Sequence, residues 1–282
     1  MRAAVLGSPI AHSLSPVLHR AAYAGLGLGD WAYEAVECDE AALADFVLSR
    51  GPEWAGLSLT MPLKRTVLPL LDYVDPLADI TGGANTVVLR PDGRYGYNTD
   101  VRGIVDALAE AGAPKPHAVT IVGGGATACS ALASLAELGV PGADVAVRNP
   151  SRAAGLLTAA ERLGLRVRLL PFSELTDDRP ATVDGEPDLL ISTTPTGAAD
   201  GYAERIRITG RAPATVLDVV YAPWPTALAV AAAAAGAAVV SGFAMLLHQA
   251  AAQVELMTGK PAPLEAMRTA GEAELARRTA AR

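Results

Sequence analysis

The feature that most constrains this chain is a strand, a glycine-rich turn and a helix in succession near the middle of the sequence. Ala118–Val122 (AVTIV) predicts a buried strand, and Cys129–Leu138 predicts a helix after the turn. A second strand is predicted at Ala143–Val147, and four more follow toward the C-terminus. Strands that alternate with helices in this way predict an α/β protein with a mostly parallel sheet.

The turn itself favours a dinucleotide site over a purely structural strand-to-helix connection. Its pattern is Gly123-x-Gly125-x-x-Ala128. The first glycine permits a tight turn, the second lets the backbone approach a pyrophosphate, and the small third residue lets helix pack on strand. Phosphate would lie at the helix N-terminus, where free N–H groups favour an anion. The predicted cofactor-binding turn comprises Gly123, Gly124, Gly125, Ala126, Thr127 and Ala128.

The end of the second strand indicates which dinucleotide binds. An acidic residue there would bind the ribose 2′-hydroxyl of NAD, whereas this chain has Arg148-Asn149-Pro150-Ser151-Arg152. Guanidinium groups and a serine hydroxyl suit a 2′-phosphate. We place these arginines in a first helical turn, where positive charge opposes the helix dipole, so a bound anion explains them better than a solvated basic surface. The predicted cofactor is therefore NADP(H).

Polar clusters follow strands in the first hundred residues, where open α/β sheets place ligands. They are Ser13-Leu14-Ser15, then Ser58 with Thr60 and Lys64, then Asn85-Thr86 with Asn98-Thr99-Asp100. Each has a structural alternative: Ser15, before Pro16, and Asp100 would serve as helix N-caps, and Asn85 as a turn residue. Together they offer hydroxyl, amide, amine and carboxylate groups, which suit a polyhydroxylated ligand.

Lys64 stands out within these clusters, because the chain has three lysines and this one follows a proline at a strand-to-helix turn. A partly buried lysine can act as general acid or base. Hydride transfer between an alcohol and a carbonyl needs such a proton shuttle. Asp100 could hold the amine in place.

Composition excludes several other classes of protein. The 282 residues suit two domains, and the net charge of −7 argues against nucleic-acid binding. Cys38 and Cys129 are too far apart for a usual zinc site, and the histidines lack metal-ligand spacing, so no metal is predicted. The N-terminus does not read as a signal peptide, and the uncharged stretch 222–254 is mostly alanine, so we predict helix, strand and helix rather than a membrane span. A cytoplasmic protein without membrane or nucleic-acid partners is expected.

Several strings in this chain resemble shikimate dehydrogenases: GSPIAHSLSPVLH, LTMPLK, GGANTV, GYNTD, DVVYAPWPTAL and GFAMLLHQA. They occur in the family's order across about the first 250 residues. The resemblance implies reduction of 3-dehydroshikimate to shikimate with NADPH, without a metal. It also implies a substrate domain of residues 1–101 with 243–282 and a Rossmann-like NADP domain of residues 102–242, acting as a monomer or homodimer.

The resemblance further implies a role for each matching residue. Lys64 and Asp100 match the catalytic pair. The substrate-binding residues it implies are Ser13, Ser15, Thr60, Asn85, Tyr221 and Gln249. Around the nicotinamide and phosphates it implies Thr193, Gly242 and Met245, beside the glycine turn and the clamp of Arg148, Asn149, Ser151 and Arg152.

Two departures from the family pattern leave alternatives open. Ser58 replaces a frequent asparagine, so one substrate hydrogen bond is expected to be weaker or water-mediated, and Arg148-Asn149-Pro150 is shifted from the usual NRT clamp. A quinate/shikimate or aminoshikimate dehydrogenase is the nearest alternative. A protein that senses NADP(H) without catalysis is the alternative from another class.

Overall fold

The computed structural model of the chain describes residues 1–176 and 187–281. The polar loop predicted over Asp177–Glu186 lies outside the described residues, as do the side chains of Arg152 and Thr176. The chain divides into two compact units, Met1–Gly103 with Leu247–Arg282, and Ile104–Leu246. These divisions lie two and four residues from the boundaries expected from the sequence.

The secondary structure alternates between strands and helices throughout the described chain, which confirms the predicted α/β class. The first unit contains β1 (Arg2–Gly7), α1 (Ser15–Gly25), β2 (Ala32–Glu37), α2 (Glu40–Leu48), β3 (Trp54–Leu59), α3 (Leu63–Thr66), β4 (Tyr73–Val74), α4 (Pro76–Thr81), β5 (Thr86–Arg90), β6 (Gly93–Tyr97) and the start of α5 (Asp100–Glu110). The second contains β7 (Val119–Val122), α6 (Ala126–Glu137), β8 (Gly142–Val147), α7 (Ala154–Arg162), β9 (Arg166–Pro171), α8 (Phe172–Thr176), β10 (Leu189–Ser192), α9 (Asp200–Thr209), β11 (Thr215–Asp218), α10 (Ala227–Ala234) and β12 (Ala238–Ser241). The C-terminal helices are α11 (Gly242–Thr258) and α12 (Leu264–Ala280).

The sheet of the first unit has the strand order β2-β1-β3-β5-β6-β4. Its first three strands are parallel, but β5 runs antiparallel to both β3 and β6. β5 and β6 therefore form a hairpin, with Thr86 opposite Tyr97. All six residues of β3 are buried, as expected for a central strand covered on both faces.

The sheet of the second unit has the order β12-β11-β10-β7-β8-β9, and every pairing in it is parallel. This is the doubly wound arrangement, in which the chain leaves β7 toward β8 on one side and later returns to β10 on the other. The glycine turn after β7 therefore lies at the point where the strand order reverses. Ligands bind at such points, outside the carboxyl ends of the strands.

Two local predictions need correction. Ser15 is the first residue of α1 rather than its N-cap, which is Leu14, and it is the Ser13 hydroxyl that accepts a hydrogen bond from the Ser15 backbone N–H. Pro150–Arg152 forms a separate 3₁₀ turn before α7, which starts at Ala154. The predicted conflict between these arginines and the dipole of a longer helix does not arise, and the case for an anion there rests on the missing acidic residue.

The alanine-rich stretch forms a helix, a strand and a helix, as predicted. Within the described part of the chain, no helix combines the length and the apolar character needed to cross a membrane.

Candidate active site

The reversed direction of β5 gathers the polar clusters of the first unit at one edge of its sheet. Because β1 and β3 are parallel, the segments that follow them leave at the same edge. Asn85 precedes β5 and bonds through its backbone to Leu59, at the end of β3. The hairpin then brings the end of β6, and Asp100 after it, back to that edge. Segments far apart in sequence are thus brought together by strand direction alone.

Lys64 and Asp100 form an ion pair at this edge. Lys64 lies on the short helix α3, and its Nζ donates a hydrogen bond of 2.5 Å to Asp100 Oδ2 at the start of α5. The Asp100 side chain is 6% exposed and that of Lys64 is 17% exposed, so the carboxylate is enclosed while the amine retains access to solvent. An ammonium group held in this way can donate a proton to a bound oxygen and be reprotonated from water.

Asn85 links this pair to two further polar residues. Its Nδ2 donates to Asp100 Oδ1 at 2.7 Å, and lies 3.0 Å from Thr99 Oγ1 and 3.2 Å from Gln249 Oε1. Its Oδ1 accepts from the Thr99 backbone N–H at 2.8 Å. Asn85 is 2% exposed and Gln249 is 7% exposed. A substrate hydroxyl that bonds to Asn85 Nδ2 therefore has to compete with Thr99 and Gln249.

The loop that carries Ser13 and Ser15 is held by the C-terminal helix. Arg278 on α12 donates to the backbone carbonyls of His12 at 2.6 Å and of Ser13 at 3.3 Å. Below the loop, the His19 Nδ1 donates to the Ser15 carbonyl at 2.9 Å. Complete burial lowers the pKa of His19 to about 4, so the ring is neutral at physiological pH. The segment that carries Ser13 and Ser15 is therefore held by the charged Arg278 guanidinium and by the neutral His19 ring.

Thr60 and Ser58 are in different surroundings, although they are two residues apart. Thr60 is partly exposed just after β3, between the strand and α3. Ser58 is 3% exposed, accepts a hydrogen bond from the Tyr33 hydroxyl at 2.6 Å and donates to Gln253 Oε1 at 2.8 Å. The hydroxyl of Ser58 is thus engaged within the protein.

The glycine turn of the second unit has the geometry of a phosphate cradle. Gly123 has a φ of +115°, and a Cβ there would lie 2.4 Å from Thr193 Oγ1. A Cβ on Gly124 would lie 3.0 Å from Val147 Cγ1, whereas one on Gly125 would meet nothing within 4 Å. Gly125 is the N-cap of α6 and has no side chain that could bond to the first N–H groups of the helix. An anion could accept hydrogen bonds from those groups.

A cavity of about 410 Å³ adjoins this turn, lined by Gly124, Val147, Arg148, Asn149 and Ala153. Arg148 is exposed at its rim, and the Asn149 carbonyl oxygen Oδ1 accepts from both the backbone and the hydroxyl of Ser151. The segment 148–152 offers a guanidinium group and contains no acidic residue, which fits a ribose that carries a 2′-phosphate better than one with a free 2′-hydroxyl. The predicted contribution of the Arg152 side chain lies outside the described residues.

The remaining predicted residues of this unit are the cofactor residues Thr193, Gly242 and Met245 and the substrate residue Tyr221. The Thr193 hydroxyl donates to the Val122 carbonyl at 2.9 Å, which fixes the end of β10 against the end of β7. A Cβ on Gly242 would lie 2.1 Å from the Val219 carbonyl oxygen, so no larger residue fits there. Tyr221 is partly buried after β11, and Met245 is 7% exposed on α11.

Comparison with known families assigns both ends of the chain. Residues 5–87 match the family described as the shikimate dehydrogenase substrate binding domain, and residues 242–270 match the shikimate 5′-dehydrogenase C-terminal domain. A shikimate dehydrogenase (NADP⁺) from Synechococcus sp. is 36% identical, with 96% of this chain and 93% of the relative covered. The chain belongs to the shikimate dehydrogenase family.

Solved structures of the family have the same fold. Shikimate dehydrogenase from Mycobacterium tuberculosis is 46% identical with a TM-score of 0.85, covering 96% of this chain and 98% of that one. The enzyme from Thermus thermophilus, in complex with NADP(H) and shikimate, is 33% identical with a TM-score of 0.82, covering 97% and 99%. The resemblance inferred from the sequence strings is thereby confirmed.

Sequence reasoning missed several residues that surround the site in this shikimate dehydrogenase family member. They are Tyr33 and Gln253, which bond to Ser58, and Arg278, which holds the Ser13 loop. Gln253 could have been found, because it lies four residues after Gln249 and therefore on the same face of a helix. No local sequence pattern indicates Tyr33 or Arg278. Tyr33 reaches the site through the pairing of β2 with β1, and Arg278 through the packing of α12 on α1. Within residues 1–176 and 187–281, no group of side chains could hold a metal ion.

Proposed function

We propose that this chain catalyses the NADPH-dependent reduction of 3-dehydroshikimate to shikimate and the reverse reaction. The observation that carries the proposal is the Lys64–Asp100 pair, with Nζ and Oδ2 2.5 Å apart, in a cluster of buried amides and hydroxyls of a shikimate dehydrogenase family member. Such a pair supplies what carbonyl reduction requires of a protein, namely a proton at a fixed position.

In the proposed reaction, bound NADPH would supply the hydride that reduces the carbonyl carbon. The Lys64 ammonium donates a proton to the carbonyl oxygen as negative charge develops there. Asp100 accepts a hydrogen bond from the same ammonium, which restricts Nζ to one position before the transfer. After the transfer, the partly exposed amine regains its proton from water, and in the reverse direction it acts as the base.

The remaining predicted residues are proposed to bind and orient the ligands. The hydroxyls of Ser13 and Ser15 suit the substrate carboxylate, while Thr60, Asn85, Gln249 and Tyr221 suit its hydroxyl groups. On the cofactor side, the glycine turn Gly123–Ala128 would bind the pyrophosphate. The 2′-phosphate would be bound by Arg148 with Asn149, Ser151 and Arg152. Thr193, Gly242 and Met245 would lie near the nicotinamide. The unit of residues 1–103 and 247–282 would thus supply all of these substrate-binding residues except Tyr221, and the unit of residues 104–246 would supply the cofactor-binding residues.

The proposal includes a cytoplasmic enzyme that acts as a monomer or homodimer on a small-molecule substrate. Both cysteines are buried and free, which is typical of proteins from reducing compartments.

The experiment is an absorbance assay at about 340 nm, the band of reduced nicotinamide, with shikimate or quinate and with NADP or NAD in all combinations. Fast turnover with shikimate and NADP alone is the expected result. Turnover with quinate or NAD would move the chain to the quinate/shikimate class while retaining the Lys64 chemistry. A folded sample that binds NADP but turns over no substrate would favour the sensing alternative.

A further inference from the structure

A buried chain of hydrogen bonds leads from Asp100 to residues with no assigned part in the reaction. Each step runs from donor to acceptor: Tyr33 to Ser58 (2.6 Å), Ser58 to Gln253 (2.8 Å), Gln253 to Thr86 (3.0 Å), Thr86 to Asn85 (2.8 Å) and Asn85 to Asp100 (2.7 Å). All of these residues belong to the first unit. We call this set the buried hydrogen-bond chain.

A group that can only donate shows which atom of the Asn85 amide is the oxygen and which is the nitrogen. The Thr99 backbone N–H lies 2.8 Å from Asn85 Oδ1, so this atom of the amide must be the oxygen. The nitrogen then faces the carboxylate of Asp100, which accepts. No other assignment of the Asn85 amide satisfies both neighbours.

The direction of every other step follows from this one. The Thr86 hydroxyl has a single hydrogen, which it gives to Asn85 Oδ1, so it must accept from Gln253. The Gln253 nitrogen also lies 3.3 Å from the Asn85 backbone carbonyl, an obligatory acceptor, which independently fixes that amide. Gln253 Oε1 then faces Ser58, which must donate to it and accept from Tyr33.

Burial prevents water from replacing these partners. Tyr33 and Gln253 are each 1% exposed, Ser58 is 3% exposed and Thr86 is fully buried. A donor lost from such a chain leaves a buried acceptor unsatisfied, and linked hydrogen bonds of low-dielectric interiors depend on one another.

We propose that Tyr33, Ser58, Gln253 and Thr86 are positioning residues, whose one-way hydrogen-bond chain holds Asn85 in the orientation that supports Asp100 and, through it, Lys64. The inference rests on the proposed function for the reaction it serves. Thr86 is the decisive member, because its hydroxyl joins Gln253 to Asn85.

The first test compares Thr86→Val with Thr86→Ser. Valine has nearly the shape of threonine but lacks the hydroxyl, whereas serine keeps it. We expect Thr86→Val to lower kcat about tenfold, the effect of one lost hydrogen bond on a barrier, with a smaller change in KM. Thr86→Ser should retain most of the activity. An unchanged kcat in Thr86→Val, or equal losses in both variants, would overturn the proposal.

A second comparison uses two buried tyrosines. Tyr33→Phe removes the first donor of the chain, whereas Tyr23→Phe removes a buried hydroxyl that has no hydrogen-bond partner within the described residues. Tyr33→Phe should lower kcat severalfold and Tyr23→Phe should not, although both variants lose one buried oxygen. Equal kcat values in the two variants would contradict a role for Tyr33.

A third measurement does not depend on turnover. The side-chain amide hydrogens of Gln253 should exchange slowly with solvent by NMR in the parent protein and faster in Thr86→Val. Rapid exchange in the parent would disprove the buried hydrogen-bond chain itself. A parent that fails to oxidise shikimate but shows slow exchange would instead contradict the proposed function and leave the hydrogen-bond chain intact.

Discussion

The two units build their candidate sites from different materials. In the first unit the site consists of side chains, with Lys64, Asn85 and Asp100 locked by hydrogen bonds to one another and to buried neighbours. In the second, the site consists mainly of backbone, with a glycine turn, an open helix N-terminus and one exposed guanidinium. The first should therefore be sensitive to the loss of single polar atoms, and the second to the addition of atoms.

Strand direction explains this difference. In the second unit all strands are parallel, so the site is made where β7 and β8 end, and two short segments, 123–128 and 148–152, supply most of it. In the first unit the antiparallel β5 brings its own start and the end of β6 to the edge where β3 ends. More segments meet there, and their side chains can bond to each other.

The largest expected effect tests the side-chain site. Lys64→Ala removes the proposed proton donor, and we expect kcat to fall about a thousandfold, with little change in KM, because the interaction is needed mainly in the transition state. Lys260→Ala, an exposed lysine of the same unit, is the control and should behave like the parent. A large rise in KM with kcat unchanged would make Lys64 a binding residue instead.

The difference between the side-chain site of the first unit and the backbone site of the second also explains how much of each could be predicted from the sequence. The glycine turn and the missing acidic residue at 148–152 are contiguous signals, so fold class and cofactor preference followed from spacing. The sequence predicts Lys64 and Asp100 as a pair, but what brings them to 2.5 Å is the antiparallel direction of β5 against β3, which the βαβ pattern does not reveal. For Ser58 the sequence predicts only a weaker or water-mediated hydrogen bond to substrate. Its protein partners, Tyr33 and Gln253, could not be predicted because they are 25 and 195 residues away.

Acid should weaken the first unit through His19. Its pKa is about 4 when folded and about 6.5 when unfolded, so the unfolded state binds more protons between these values. Stability is fully present above pH 6.5 and is lost as pH falls toward 4, by about 2 kcal/mol at pH 5. Denaturant unfolding at pH 7 and pH 5 measures this loss.

The matched variant for this measurement is His19→Asn, which keeps a donor for the Ser15 carbonyl but does not titrate. Its stability at pH 7 should be lower, because the ring that stacks on Tyr33 is lost, but its change between pH 7 and pH 5 should be smaller than that of the parent. Hydrogen bonds from arginines lower the pKa of Asp72 and of Glu274 to about 2, so these two carboxylates contribute little in this window. An identical pH dependence in both proteins would exclude His19 as the cause.

Gly125→Ala tests the backbone site by adding one carbon. Space and backbone conformation do not require glycine at this position, because φ is −86° and a Cβ would meet nothing within 4 Å, so only the preference of helix N-caps for glycine over alanine remains. The unfolding free energy should therefore fall by no more than about 1 kcal/mol. The Kd for NADP should rise about tenfold, since the methyl group would occupy the space of the pyrophosphate. Calorimetry gives both values. An unchanged Kd would make the turn a structural connection.

The smallest effect concerns the rim of the cofactor cavity. Arg148 is exposed, so solvent screens its charge and the loss in Arg148→Ala should be modest: about a fivefold fall in the preference for NADP over NAD, measured as the ratio of kcat/KM values. NAD lacks the 2′-phosphate, so its own kcat/KM should stay the same, which separates loss of a phosphate contact from general damage to the turn. Arg211→Ala is the charge-matched control, because Arg211 precedes β11 at the amino-end edge of the same sheet. If Arg148→Ala leaves the ratio of kcat/KM values for NADP and NAD unchanged, another residue of the 148–152 segment must distinguish the two cofactors.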